Sequence, residues 1–224
     1  MGHFITFEGP EGSGKSTHIR LLTERLRERG ETVVATREPG GTPLGEAIRG
    51  LLQHDAAGES PVPRSEALLF CASRAQLVQT IVQPALARGA WAIVDRFADS
   101  TFAYQGYGRG FTLADLRQVN DFATGGLMPE LTVLLDLDGD TSQQRLAARR
   151  GADADRFERE PSDFHARLRQ GFLDLAAAEP ERFRVIPTHG ATADVAEAVW
   201  QAVSHRFAAT LSETSCTSTK PRNL

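Results

Sequence analysis

Residues 3 to 17 read HFITFEGPEGSGKST. A short apolar run rich in β-formers gives way to a glycine-rich turn, then to a lysine and two hydroxyls. The segment from Gly9 to Ser16 fits G-x-x-x-x-G-K-[ST], with Gly9, Gly14, Lys15 and Ser16 in the required places. The pattern alone is short, but its setting is specific. A strand precedes it, and the amphipathic run SGKSTHIRLLTERLRERG follows, with Ile19, Leu22 and Leu26 at helical spacing and Gly30 as its stop. In such a turn Gly12 and Gly14 let backbone N–H groups converge on an anion. The helix N-terminus adds the positive end of its dipole. Lys15 then reaches the outer phosphates of a nucleoside triphosphate and the Ser16 hydroxyl ligates Mg²⁺. The nucleotide-binding loop is therefore Gly9, Pro10, Glu11, Gly12, Ser13, Gly14, Lys15, Ser16 and Thr17, with ATP as the natural occupant.

Beyond the loop, four more runs are short and almost continuously apolar: residues 32–36, 91–95, 131–137 and 182–186. Strands covered on both faces read this way. Helical patterns alternate with them, so the chain is expected to be α/β, with a parallel sheet flanked by helices. The run from Pro63 to Gly89 predicts one long helix bent at Pro84, and residues 163–179 predict another with Phe164, Leu168, Phe172 and Leu175 on its inner stripe. No internal repeat or linker divides the chain. Residues 1–208 are expected to form one domain. The charged stretch from about 149 to 160 has the composition of a mobile lid, and 209–224, rich in Ser and Thr, of a disordered tail.

Composition narrows the partners. A net charge of −4 argues against a nucleic-acid partner. No apolar run is long enough for a membrane span, no leader pattern precedes the first strand, and the cytoplasm is the default location. The two cysteines and six histidines show no metal-binding spacing, and Cys71 reads as a small buried apolar residue.

The loop names a triphosphate without naming the phosphoryl acceptor. A GTPase needs a base-reading motif such as N-K-x-D, and the chain's lysines are only Lys15 and Lys220. In doubly wound sheets ligands gather at the carboxyl ends of strands. There the sequence places Arg37 after the second strand, and Asp95 with Arg96 after the third. Two arginines at neighbouring strand ends suit a phosphate monoester. Asp95 holds a metal-bound water or orients the acceptor oxygen. Phe70 and Arg74 lie four residues apart on one helix, where a ring and a guanidinium suit a nucleobase face and edge, although each also fits a plain core or surface position. Ser100, Thr101, Tyr104 and Gln105 add polar groups nearby. Arg149, Arg150 and Arg156, from the lid, are candidates for stabilising the transferred charge.

Taken together, FEGPEGSGKST, TREPGGTP, LLFCASRAQ, VDRFADSTFAYQG and DRFE, in that order over roughly residues 3 to 170, resemble the thymidylate kinases. The resemblance implies a three-layer P-loop kinase fold with a five-stranded parallel sheet, phosphorylation of dTMP to dTDP by ATP with Mg²⁺, and a homodimer. It puts Glu11 at the sugar 3′-hydroxyl, Phe70 on the thymine face and Arg74 at its edge. It puts Arg37 and Arg96 on the acceptor phosphate, Asp95 in the catalytic centre, and Thr101, Tyr104 and Gln105 in the nucleoside pocket. Gly12 stands where some members carry a catalytic arginine, so the lid is expected to supply it. Phe97 departs from the commoner Tyr or His, and the segment after the last strand is less acidic than expected, leaving the adenine side near Thr188–Ala191 open. Rival readings are another P-loop nucleotide or deoxynucleoside kinase, or a regulatory ATPase.

Overall fold

A computed structural model describes residues 2–54, 56–149 and 156–216. Five strands, β1 (Phe4–Glu8), β2 (Val33–Arg37), β3 (Trp91–Asp95), β4 (Leu131–Asp136) and β5 (Phe183–Pro187), form one parallel sheet in the order β2-β3-β1-β4-β5. Every strand coincides with one of the apolar runs. β1 lies at the centre, with Ile5 opposite Ile93 of β3 and opposite Leu131 of β4. β2 and β3 lie on one side of β1, and the chain then crosses to place β4 and β5 on the other. The loop after β1 therefore opens at the switch in strand order, where an α/β sheet leaves a crevice.

Two apolar layers cover the sheet. On one face helix α1 (Lys15–Glu28) packs with the late helix α9 (Thr192–Arg206), over Phe7, Ile93 and Val133. α1 stops where the sequence says. Gly30 has φ 87°, its N–H reaches Arg27 O and that of Glu31 reaches Leu26 O, so two terminal carbonyls are satisfied. On the other face lie helices α3 (Pro63–Leu77) and α8 (Ser162–Ala178), with Phe4, Val94 and Phe97. Phe164, Leu168, Phe172 and Leu175 are all buried there. Pro84 does not break its helix. The turns widen over Val78–Val82 into π geometry before α4 (Gln83–Ala87), and the Gln83 N–H bonds to Val78 O. A wide turn accommodates a residue that has no N–H to give to the carbonyl four back.

Helices α2 (Pro43–Gln53) and α6 (Leu113–Thr124) were not anticipated, yet both carry local signals. Thr42 accepts from Gly45 N and Thr112 from Asp115 N, and Pro43 occupies the first turn. The short helix α5 (Ala98–Thr101) runs into π turns at Phe102–Gly108. Helix α7 is Gly139–Arg149. The chain beyond 208 corrects an expectation. Instead of a structureless tail from 209, helix α10 occupies Ala208–Cys216. Its start is held by contacts that sequence patterning does not reveal: Leu211 is buried, and Thr210 Oγ1 lies 2.8 Å from His3 Nε2. Residues 217–224 of that tail lie outside the described residues.

A polar tie crosses the core. Asp99 on α5, fully buried, is held by both Nη atoms of Arg182 at 2.6 and 2.9 Å, and Thr132 Oγ1 donates to it at 3.1 Å. This joins the segment after β3 to the approach to β5.

Candidate active site

The loop between β1 and α1 has the left-handed glycines it needs: φ is 76° at Gly12 and 92° at Gly14. Gly9 has φ 134°, and a Cβ there would meet Leu135 O at 2.3 Å, so the loop leaves the sheet against the neighbouring strand. Lys15 is buried, and its Nζ donates to Gly9 O at 3.1 Å and to Pro10 O at 3.0 Å. Burial, then the Arg96 charge, pushes the ammonium below its usual range, while Glu11, Asp95 and Glu8 oppose the shift.

A cavity of about 400 Å³ opens in front of the loop. It brings together Glu11, Gly12, Gly14, Lys15, Ser16, Thr17, Arg37, Phe70, Asp95, Arg96, Ser100, Thr101, Tyr104 and Gln105, a set drawn from four separate stretches of sequence. The cavity also exposes Arg49, Gln53, Phe157 and Glu158, which sequence reading passed over. Arg49 stands on α2, and the missed helix is why it was missed.

Arg96 is the organiser of this space. It follows β3 with φ 69°, unusual for a residue with a side chain. Its guanidinium pairs with Glu11, donates to Ser100 Oγ at 3.2 Å, and lies 3.8 Å from Glu8 and 5.2 Å above the Tyr104 ring. Burial acts to raise the Glu11 carboxyl, but the Arg96 and Lys15 charges outweigh it and hold the group at about 2. Glu8, wholly buried at the end of β1, accepts from Phe97 N at 2.8 Å, Ser100 N at 3.2 Å and Ser100 Oγ at 2.6 Å. It clamps the turn that carries Arg96. Burial raises its carboxyl to about 7, against the opposing pull of Arg96.

That shift has a measurable sign. The folded protein holds this proton more tightly than the unfolded chain, so the stabilisation is complete below the ordinary carboxyl value and is lost as pH rises through about 7. Thermal unfolding of the unliganded protein should show Tm falling between pH 5 and 7.5. The span corresponds to roughly 3 kcal/mol at most. Glu8→Gln should flatten that slope. An unchanged slope in the variant would assign it to other groups.

Arg74 is held by partners that its sequence position does not reveal. It is 1% exposed and is absent from the cavity lining. Nε and Nη2 lie 2.8 and 2.7 Å from Glu38 Oε2; Nη1 donates to Thr101 Oγ1 at 2.9 Å and to Asn120; Nη2 donates to Phe97 O at 3.0 Å. Every guanidinium nitrogen thus contacts a protein acceptor. Phe97, the departure from the family motif, packs edge-on against Phe4 at 5.0 Å, where a ring without a polar group fits.

Arg37 lines the cavity but pairs with Glu46 of α2 at 2.9 Å. Of the lid candidates, Arg156 is tied by its Nε to Leu52 O at 3.1 Å and by Nη2 to Glu66 at 2.6 Å. Arg149 ends α7, its side chain outside the described set, and Arg150 lies outside the described residues. Phe157, just after Arg156, packs 5.8 Å from Phe70 and 5.6 Å from Tyr104, closing the pocket on its outer side.

A second cavity, about 310 Å³, lies across the loop and is lined by Gly12, Ser13, Gly14, Thr17, His18, Arg145, Thr188, Gly190, Thr192 and Val195. Arg145 bridges it, donating to Gly12 O at 3.2 Å and Thr188 O at 2.9 Å. Nothing in the sequence marks Arg145, because its partners lie in the loop and beyond β5.

Two concave sites thus meet at one phosphate-binding loop, and both are lined by arginines. The model of the thymidylate kinase family matches residues 7–199. The chain belongs to the thymidylate kinase family. It is 52% identical over 206 residues to a thymidylate kinase of Deinococcus radiodurans, covering 92% of this chain and 98% of that one. It is 50% identical over 204 residues to one from a Synechococcus strain, covering 91% and 95%. The crystal structure of thymidylate kinase from Ehrlichia chaffeensis superposes with a TM-score of 0.72 at 36% identity, over 90% of this chain and 98% of that one. The kinase is therefore an ATP-dependent nucleoside monophosphate kinase that phosphorylates dTMP to dTDP. The rival readings are not favoured. Among the described residues, no helix is long and apolar enough to cross a membrane.

Proposed function

We propose that the first cavity takes dTMP and the second the adenosine end of ATP, with the γ-phosphoryl group passing over the loop between them. One observation carries this: Gly12, Gly14 and Thr17 line both cavities, so a phosphate chain on the loop reaches from one to the other. An oxygen of the dTMP phosphate forms the new P–O bond as the bond to the β–γ bridging oxygen breaks. The acceptor oxygen is already anionic, so no strong base is needed. Lys15 leaves its carbonyl perch for the transferred phosphoryl group, Arg96 and Arg37 hold the acceptor phosphate, and Arg49 stands beside them. Glu11, kept ionised by Arg96, accepts from the sugar hydroxyl. Phe70 supplies the stacking face.

Ser16 and Asp95 line the same cavity. A hydroxyl and a carboxylate are hard oxygen donors, and they suit Mg²⁺, which takes few protein ligands and completes its shell with water and phosphate oxygens. When bound, the ion neutralises charge on the outer phosphates. Since Arg156 is engaged by Glu66, the arginine above the transferred group is better sought at Arg149 or Arg150. We further propose that the enzyme works in the cytoplasm as a homodimer. Helices α2, α3 and α6 each carry a large apolar side chain facing outward, Leu44, Leu68 and Phe122, the last 93% exposed. Solvation of such a face is costly, and a second copy would cover it.

Release of ADP, followed by a coupled assay with each nucleoside monophosphate in turn and with none, tests the assignment of the cavities. ADP release should require dTMP. Phe70→Ala should raise KM for dTMP about tenfold or more and leave KM for ATP near wild type. Equal rises in both would remove the division into acceptor and donor cavities.

A further inference from the structure

Glu66 stands on α3 one turn before Phe70 and is 1% exposed, yet nothing in the sequence singles it out. Its Oε1 accepts from Gln105 Nε2 at 2.8 Å and from Arg109 Nε at 3.3 Å. Its Oε2 accepts from Arg109 Nη2 at 3.2 Å and from Arg156 Nη2 at 2.6 Å. Arg109 also reaches Glu160 Oε1 at 2.5 Å. One carboxylate thus gathers two arginines and one amide.

The amide matters most. A carboxylate offers acceptors only, so Gln105 has to turn its NH₂ group toward Glu66. Its carbonyl Oε1 is left at the opposite end and meets no donor among the described residues. Gln105 lines the first cavity next to Thr101 and Phe70. We propose that Glu66 is a positioning residue: it locks the Gln105 amide with its carbonyl toward the acceptor base and so selects a pyrimidine that carries a ring N–H. This rests on reading the first cavity as the dTMP pocket. Thymine has a hydrogen on N3, which the carbonyl accepts. Cytosine has a lone pair there, and two acceptors then face each other with no proton between them. Discrimination by an unmatched buried polar group is large compared with that by a missing methyl group.

Glu66→Gln tests the lock. The new side chain has nearly the same shape but a single acceptor oxygen. Arg109 and Arg156 both crowd the Oε2 position and claim it. The NH₂ of the new residue then faces Gln105, whose amide turns over and presents its own NH₂ to the base. The expected result is a fall of about tenfold in kcat/KM for dTMP, a rise for dCMP, and an unchanged KM for ATP. A merely weakened fold lowers both substrates together and cannot raise dCMP. Glu66→Asp, still an acceptor on both oxygens, should keep the wild-type preference. Parallel loss with both substrates, an unchanged ratio, or an aspartate variant that shifts the ratio as glutamine does would each overturn the role of Glu66. If Glu66→Gln does not fold, wild-type protein is titrated with dTMP and with its N3-methyl form. Binding at least about tenfold weaker supports the carbonyl reading, and equal binding overturns it. A wild type that shows no preference for dTMP over dCMP would remove the pocket assignment itself, a failure distinct from that of the lock.

Discussion

Arg74→Ala should lower Tm by roughly 6–20 °C, because it removes one half of a buried ion pair and leaves the other half in place. Glu38 is 4% exposed, and its Oε1 already lacks a partner among the described residues. Without the guanidinium, its Oε2 loses both contacts, and Asn120, Thr101 and the Phe97 carbonyl each lose a donor. Breaking a buried pair from one side costs about 3–5 kcal/mol. Replacing both partners with apolar residues of similar volume, as in Glu38→Met with Arg74→Met, should recover most of the loss. Thermal melts of the two variants read this directly. A Tm within about 2 °C of wild type, together with a collapse of the dTMP/dCMP ratio, would show instead that Arg74 reads the base.

Lys15→Ala should behave in the opposite way, lowering kcat by about a thousandfold while hardly moving Tm. Among the described residues Nζ hydrogen-bonds only to two loop carbonyls, Gly9 O and Pro10 O, and Lys15 itself lines the first cavity, so water can take the place of the ammonium once it is gone. In the transition state the same ammonium neutralises charge on the group being transferred. Removal of one preorganised charge-stabilising group typically costs a factor of about 10² to 10³ in kcat, and little else compensates here. A variant that kept more than about a tenth of wild-type kcat would dislodge Lys15 from the chemistry.

The sequence discloses the sheet well, because each strand is a near-continuous apolar run between polar breaks. It discloses the loop well, because phosphate binding is local: Gly12, Gly14 and Lys15 work within a few residues of one another. The carboxylates are where it falls silent. Glu38 and Glu66 read as ordinary surface charges, and only the fold reveals that each faces an arginine far along the chain. Glu8 offered a clue that went unused: an acid closing an apolar strand, just before a glycine, has little solvent to face. Arg74 hid its partner for the same reason. A helix position four residues from an aromatic sets its neighbourhood but not its partner, and the partner proved to be Glu38, from the loop after β2. Helices α2 and α6 were legible but passed over: Thr42 and Thr112 announce their starts, and Ile48 and Leu52 of α2 and Leu116 and Ala123 of α6 lie on buried stripes.

The tie between Asp99 and Arg182 bears on how this polypeptide tolerates being cut. Asp99 belongs to the segment that shapes the acceptor side, whereas Arg182 arrives only with the last strand. A chain ending before residue 182, whether from an early stop or from a protease, would have every segment that lines the first cavity yet leave a carboxylate stranded in the interior. Such a fragment should be degraded in cells or swept into inclusion bodies. Supplied in trans, the missing piece would have to bring back β5 and its arginine together before the phosphate-handling half became competent.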